Sequence, residues 1–180
     1  MPFGVENGLE VTTASGPLYL RGFIDRIDHA GGVTLVRDLK SGKAHPRAEG
    51  DPPEYDLDLQ IGLYGLVLRK IAGDLGVPDN VAAAYFYPDD AQPERRFDGD
   101  DFDALVNATE AWIAAGAQLL REGAFPRTPN EEDCQYCAYK PVCGPGATDR
   151  VRAQLPAAGQ GTQLLAAIKG FGPESETNDE

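Results

Sequence analysis

The chain has 180 residues, 42% hydrophobic and 25% charged, with 16 basic and 29 acidic side chains giving a net charge of -13. That is the composition and length of an ordinary globular domain with an appendage. It excludes an integral membrane protein, since no apolar run approaches the ~18 residues a span needs, and argues against a nonspecific, basic nucleic-acid binder. The N-terminus has neither a basic region nor an apolar core of the secretory kind, so a cytoplasmic location is expected.

Residues 1–15 read as a weakly ordered segment with one edge strand near Leu9–Thr13. Residues 17–28 and 33–39 read as two strands, with Gly31-Gly32 between them as a two-residue hairpin turn. Residues 41–55 carry Pro46, Pro52, Pro53 and Gly50 and read as a loop. A helix is predicted over 56–73, with Leu59, Leu63 and Leu66 as one apolar row and Gln60, Tyr64 and Val67 beside it. Val81–Tyr87 is apolar and aromatic throughout, which predicts an interior strand. The longest helix is predicted over 100–122, followed by Gly123. Residues 128–146 form a cysteine-bearing loop, 147–170 one or two short helices, and the acidic last eight residues a disordered tail. The fold class is therefore α/β, a small mixed sheet flanked by helices. The expected domains are an N-terminal segment 1–15, a core 16–127, the cysteine loop 128–146 and an extension 147–180.

Positive charge concentrates early. Residues 21–50 hold Arg21, Arg26, Arg37, Lys40, Lys43 and Arg47 against four acids. A phosphate polymer, if one binds, binds there; Arg21, Arg26, Lys43 and Arg47 are the weaker candidates for its contacts.

The hairpin carries the chemistry. With Gly31-Gly32 as its turn, Asp25 and Asp38 face each other, their Cβ atoms ~5 Å apart, and Lys40 shares their face. Facing carboxylates repel, and a divalent cation between them removes that cost. Two carboxylates, a backbone carbonyl and waters suit Mg²⁺ or Mn²⁺, and a lysine beside them suits charge developing at phosphorus. An ordinary surface Asp–Lys pair fits the register equally well. Asp28 falls on the opposite face, where a structural pair with Arg26 or Arg21 is the favoured reading.

Gly22-Phe23-Ile24-Asp25-Arg26-Ile27-Asp28, then Asp38-Leu39-Lys40-Ser41-Gly42, then Gln60-Ile61-Gly62-Leu63-Tyr64 resembles the PD-(D/E)XK nuclease superfamily. It is most similar to the RecB-type exonuclease branch, whose order is G-x-x-D, D-x-K and Q-x-x-x-Y. The resemblance covers roughly residues 16–145 and implies a restriction-endonuclease-like core. It implies metal-dependent hydrolysis of DNA by water with inversion at phosphorus, Asp25 and Asp38 being the metal ligands and Lys40 the catalytic lysine. Gln60 and Tyr64 would face the active site and the DNA. An exonuclease on single-stranded ends in repair or recombination fits that branch best, gripping DNA with a helicase or an upstream polypeptide.

All three cysteines fall in Cys134-x2-Cys137-x5-Cys143, clustering that points to metal rather than disulfides in a reducing compartment. Iron–sulfur members of the branch place one cysteine before the nuclease motifs and three after, which matches these three to a 4Fe–4S cluster whose fourth ligand this chain lacks. Either the chain is the C-terminal piece of a larger protein, the favoured expectation, or the site is reduced. His29 and His45 read as loop residues. The competing functions are a noncatalytic DNA-end or partner-binding module of a helicase–nuclease complex, and a structural zinc module. Lys40→Ala is expected to abolish cleavage and leave folding nearly unchanged.

Overall fold

The computed structural model describes the chain apart from residues 1, 4–7, 15, 45–50, 78–79, 92–93, 136 and 172–180. His45, Arg47 and the acidic tail lie outside the described residues. Contacts divide the chain into two units, Met1–Ala111 and Trp112–Glu180.

The first unit begins with strands β1 (Pro2–Phe3), β2 (Leu9–Thr13), β3 (Gly16–Leu20) and β4 (Gly22–Phe23). β2 and β3 pair as an antiparallel hairpin, and β1 pairs with β4. Strands β5 (Arg26–Ala30) and β6 (Val33–Leu39) follow, then helix α1 (Tyr55–Ile71), β7 (Val81–Phe86), β8 (Glu94–Phe97) and helix α2 (Gly99–Glu122). The four-stranded sheet has the order β5-β6-β7-β8. β6 and β7 run parallel, joined through α1, while both outer pairs are antiparallel. This is the mixed α/β sheet expected, with β7 interior as predicted. Among the described residues no helix is long and apolar enough to cross a membrane.

Two expectations are corrected. Residues 17–28 are not one strand. The chain changes partner twice there, from β2 to β1 to β6, and breaks at Arg21 and at Ile24-Asp25. Ile24 is buried at the second break. Second, β8 was not expected, because Glu94-Arg95-Arg96-Phe97 is mostly charged. It is held by its ladder to β7, by Arg37 on Glu94, and by Arg95, which lies over the Phe97 ring.

The turn is as expected. Gly31 and Gly32 have φ of 60° and 77°, the pair of positive values a type I′ hairpin needs. The ladder then pairs Arg26 with Arg37 and Ile27 with Val36.

Packing follows the pleat. Leu35, Ala82 and Ala84 cluster on one face of the sheet with Val33. Val36, Asp38, Ala83 and Tyr85 belong to the other face, on which α1 packs. The fully buried Ile61, Leu66, Val67 and Leu68 of α1 form the core with Leu105 and Val106 of α2, each large side chain contributing about 1.5–3 kcal/mol. The helices approach closely at two glycines. A Cβ on Gly62 would meet Thr109 Oγ1 at 1.9 Å, and one on Gly65 would meet Phe102 at 2.9 Å.

The second unit holds the end of α2, a 3-10 turn at Glu132–Cys134, and short helices α3 (Lys140–Cys143), α4 (Ala147–Gln154) and α5 (Gln160–Ile168). The helices expected within 147–170 are therefore present, and the cysteine loop has short helical turns of its own. Lys169 pairs with Asp133 at 2.6 Å, and Arg152 donates to the Pro129 carbonyl at 2.8 Å.

Candidate active site

The site forms where β6 ends and the face covered by α1 opens. Asp38 is the penultimate residue of β6 and only 1% exposed. Its Cα partner on β7 is Tyr85. Asp25 lies at the bend just before β5, outside the ladder, and its Oδ2 accepts the Leu39 N–H at 3.2 Å. That bond fixes the Asp25 carboxylate beside Asp38. Past the strand, the Lys40 N–H still donates to the Phe86 carbonyl at 2.9 Å. The backbone is therefore held on both sides of the D-x-K segment.

Lys40 Nζ lies 2.6 Å from Asp38 Oδ2 and 2.7 Å from Gln60 Oε1. Gln60 Nε2 in turn donates to the Tyr64 hydroxyl at 3.2 Å. An ammonium only donates, so the Gln60 oxygen must face Lys40 and its amide nitrogen must face Tyr64. The line Asp38–Lys40–Gln60–Tyr64 is thus continuous, and Gln60 and Tyr64 meet because i,i+4 residues share a helix face. Lys40 Nζ also lies 5.6 Å from the Tyr85 ring centroid.

Burial pushes the Asp38 carboxyl above its ordinary value; Lys40 opposes the rise and the neighbouring Asp25 adds to it. Asp38 Oδ2 is buried and has no well-aligned hydrogen-bond donor among the described residues, only the ammonium opposite. Two adjoining carboxylates, one of them buried and costly to ionise, fit a divalent cation. Mg²⁺ takes one or two protein carboxylates and completes its shell with water and phosphate oxygens. Among the described residues, no three histidine, cysteine or acidic side chains converge as a metal site. Asp25 and Asp38 by themselves would leave most of such an ion's shell to water and substrate oxygens.

Sequence reasoning missed the supports of this site. Asp58 of α1 is wholly buried. Its Oδ1 lies 3.2 Å from Arg95 Nη1, and its Oδ2 accepts the Glu54 N–H at 2.9 Å. The Tyr85 hydroxyl donates to the Leu57 carbonyl at 2.6 Å, and burial pushes its pKa up. Both contacts pin the first turn of α1, directly before the turn that carries Gln60. A polar Asp58 at a core position of the helix was the signal available in the sequence.

Beside the line lies a cleft of about 560 Å³, with Lys40 and Lys43 on one side and α1 on the other. Of the weaker candidates, Lys43 borders this cleft. Arg26 pairs with Asp28 at 2.8 Å, Arg21 is exposed, and Arg47 lies outside the described residues. Asp28 also pairs with Arg37, a structural role as expected. His29 is exposed at the end of β5, with Nδ1 3.3 Å from Thr34 Oγ1.

A family model of the PD-(D/E)XK nuclease superfamily matches residues 1–144. The chain belongs to that superfamily. The fold agrees with its restriction-endonuclease-like core, and membership implies a metal-dependent nuclease that binds DNA. Comparisons with curated proteins and with solved structures gave no match.

The cysteines lie in the second unit. Cys134 and Cys143 are half-buried, Cys137 is exposed, and all three are free thiols lining one cavity of about 610 Å³. Three thiolates fall one ligand short of a 4Fe–4S cluster or a four-cysteine zinc site, and among the described residues they do not converge as a metal-holding group. No function is assigned to them.

Proposed function

We propose that the chain is a Mg²⁺- or Mn²⁺-dependent deoxyribonuclease, an exonuclease acting on single-stranded ends in DNA repair or recombination. In this reading Asp25 and Asp38 hold the metal, Lys40 is the catalytic lysine, and Gln60 and Tyr64 position the strand. A helicase or an upstream polypeptide supplies additional grip, which an acidic chain needs against DNA. The observation that carries the reading is the continuous line from Asp38 through Lys40 and Gln60 to Tyr64, with Asp25 alongside. Charge-bearing and hydrogen-bonding groups are preorganised at one cleft, as hydrolysis of a phosphodiester requires.

A divalent cation held by Asp25 and Asp38 would supply Lewis acidity and lower the pKa of a bound water. The protein supplies position and charge. Lys40, held between Asp38 and Gln60, presents its ammonium where negative charge grows on the phosphate oxygens. Water forms the new bond to phosphorus as the bond to the leaving sugar oxygen breaks, and that oxygen takes up a proton. Gln60 keeps the Lys40 ammonium from swinging away, and its other end leaves the Tyr64 hydroxyl proton to donate to the strand.

The test is cleavage of end-labelled single- and double-stranded DNA with Mg²⁺ or Mn²⁺ against EDTA, comparing wild type with Lys40→Ala and Asp38→Ala. Metal-dependent shortening from an end, lost in both variants, is the expected result. A folded protein that cuts nothing, or a Lys40→Ala variant that cuts as wild type does, overturns the assignment.

A further inference from the structure

Part of the apolar surface of helix α1 beside the reactive line is only partly buried. Tyr55, Leu59 and Leu63 recur at i, i+4 and i+8 and so stack along one helix face. They are half-exposed, whereas Ile61, Leu66, Val67 and Leu68 on the same helix are buried. These three side chains line the cleft that Lys40, Lys43 and Gln60 also border. The cleft thus has two characters. The segment carrying Lys40 and Lys43 is cationic; the helix wall is an aromatic ring followed by two leucines.

We propose that this apolar row seats the base of an unpaired nucleotide of the DNA strand, stacked on Tyr55, with its phosphate against Lys43 and Lys40. The proposal rests on the nuclease reading and names the part of the substrate its cleft selects. A volume of about 560 Å³ lies within the range of about 300–1,000 Å³ typical of small-ligand sites. Inside a duplex both faces of a base are stacked on neighbours, so away from a duplex end only an unpaired nucleotide can lay its face on Tyr55.

The pieces are fixed before any ligand arrives. Tyr55 opens α1, directly after Glu54, whose N–H is held by Asp58, and the carbonyl of Leu57 is held by Tyr85. On the opposite side, the N–H of Ala44, next to Lys43, donates to Asp90 Oδ2 at 3.0 Å. Both walls are anchored by elements other than themselves.

The test measures binding of two fluorescein-labelled single strands to the full chain in EDTA, so that no strand is cut. One is an oligothymidylate and the other is the same length of abasic backbone. Tyr55→Ala should weaken binding of the base-bearing strand about tenfold and leave the abasic strand unchanged. Tyr55→Phe should bind as wild type. Tyr55→Leu, which keeps an apolar side chain without a ring, should lose the preference for bases and serves if Tyr55→Ala does not fold. Equal binding of the two strands by wild type, or the same loss on both in Tyr55→Leu, overturns the proposal. The same proteins are then given Mg²⁺ and the oligothymidylate. Cleavage without any base preference sinks the subsite and leaves the nuclease standing, whereas base preference without cleavage keeps the subsite and sinks the nuclease.

Discussion

The Lys40 ammonium sits 2.6 Å from the buried Asp38 carboxylate and is its close ionic partner among the described residues. The pair has a structural consequence that the sequence did not reveal. Removing Lys40 leaves a carboxylate that is 1% exposed beside Asp25, without the close cation that opposes its burial.

Lys40→Ala should therefore lose cleavage and also destabilise the metal-free protein, against the simpler expectation that folding is untouched. Breaking a fully buried pair costs about 3–5 kcal/mol. The Lys40 side chain is 36% exposed, so solvent screening brings the expected loss nearer about 1–2 kcal/mol. Urea unfolding in EDTA reads it, and millimolar Mg²⁺ should recover much of it by occupying the site. A variant as stable as wild type in EDTA would show that the ion pair carries no stability.

Arg95→Met should be the more damaging change to the scaffold. It removes the Arg95 guanidinium from Asp58, a carboxylate fully buried in α1 that keeps the Glu54 N–H, at a cost of about 3–5 kcal/mol. Adding Asp58→Asn removes the buried charge and should return most of the stability. Thermal unfolding of the two single variants and the double variant closes the cycle. Simple additivity would mean that the two groups do not interact.

Gly62→Ala tests the helix crossing. The new methyl would meet Thr109 Oγ1 at 1.9 Å, and Thr109 cannot yield easily because it is wholly buried with its hydroxyl on the Leu105 carbonyl. Overpacking of this kind costs about 1–3 kcal/mol. Cleavage should fall as well, since Gln60 and Tyr64 flank the displaced residue. Thr109→Ala in the same chain should restore part of both, measured as melting temperature and rate.

Acid should discriminate at Asp28. Burial alone would raise its pKa, but Arg26 and Arg37 outweigh that and hold the carboxyl below its ordinary 3.8. A group depressed on folding contributes stability above its unfolded pKa and loses it as pH falls through the folded value. Asp28→Asn should thus be less stable than wild type by about 1 kcal/mol at pH 7, and the gap should close below pH ~4. Denaturation at the two pH values measures it; a gap that persists in acid would contradict the assignment.

The parts of this fold legible in sequence are those set by local chemistry. Two adjacent glycines demanded a tight hairpin, and the hairpin fixed the register that sets Asp25 beside Asp38. The i,i+4 spacing of Gln60 and Tyr64 needed only a helix. What was not legible depends on distant partners. Nothing local distinguishes Ile24-Asp25 from the strand around it, because the break arises where pairing passes from β1 to β6. Glu94–Phe97 looks like a charged loop until Arg95 finds Asp58 and Arg37 finds Glu94. Tyr85 reads as core and is core, yet its hydroxyl orders the helix that carries the site.

The Gly31-Gly32 turn acts on the distant end of its hairpin as a ruler. Asp25 stands as many residues before Gly31 as Asp38 stands after Gly32. One residue added to the β6 arm moves Asp38 to the opposite side of the sheet, far from Asp25. The site therefore tolerates a change in the side chains of the hairpin better than a change in its count, and natural variation in chain length should fall outside it, in segments such as the stretch between Ser41 and Glu54.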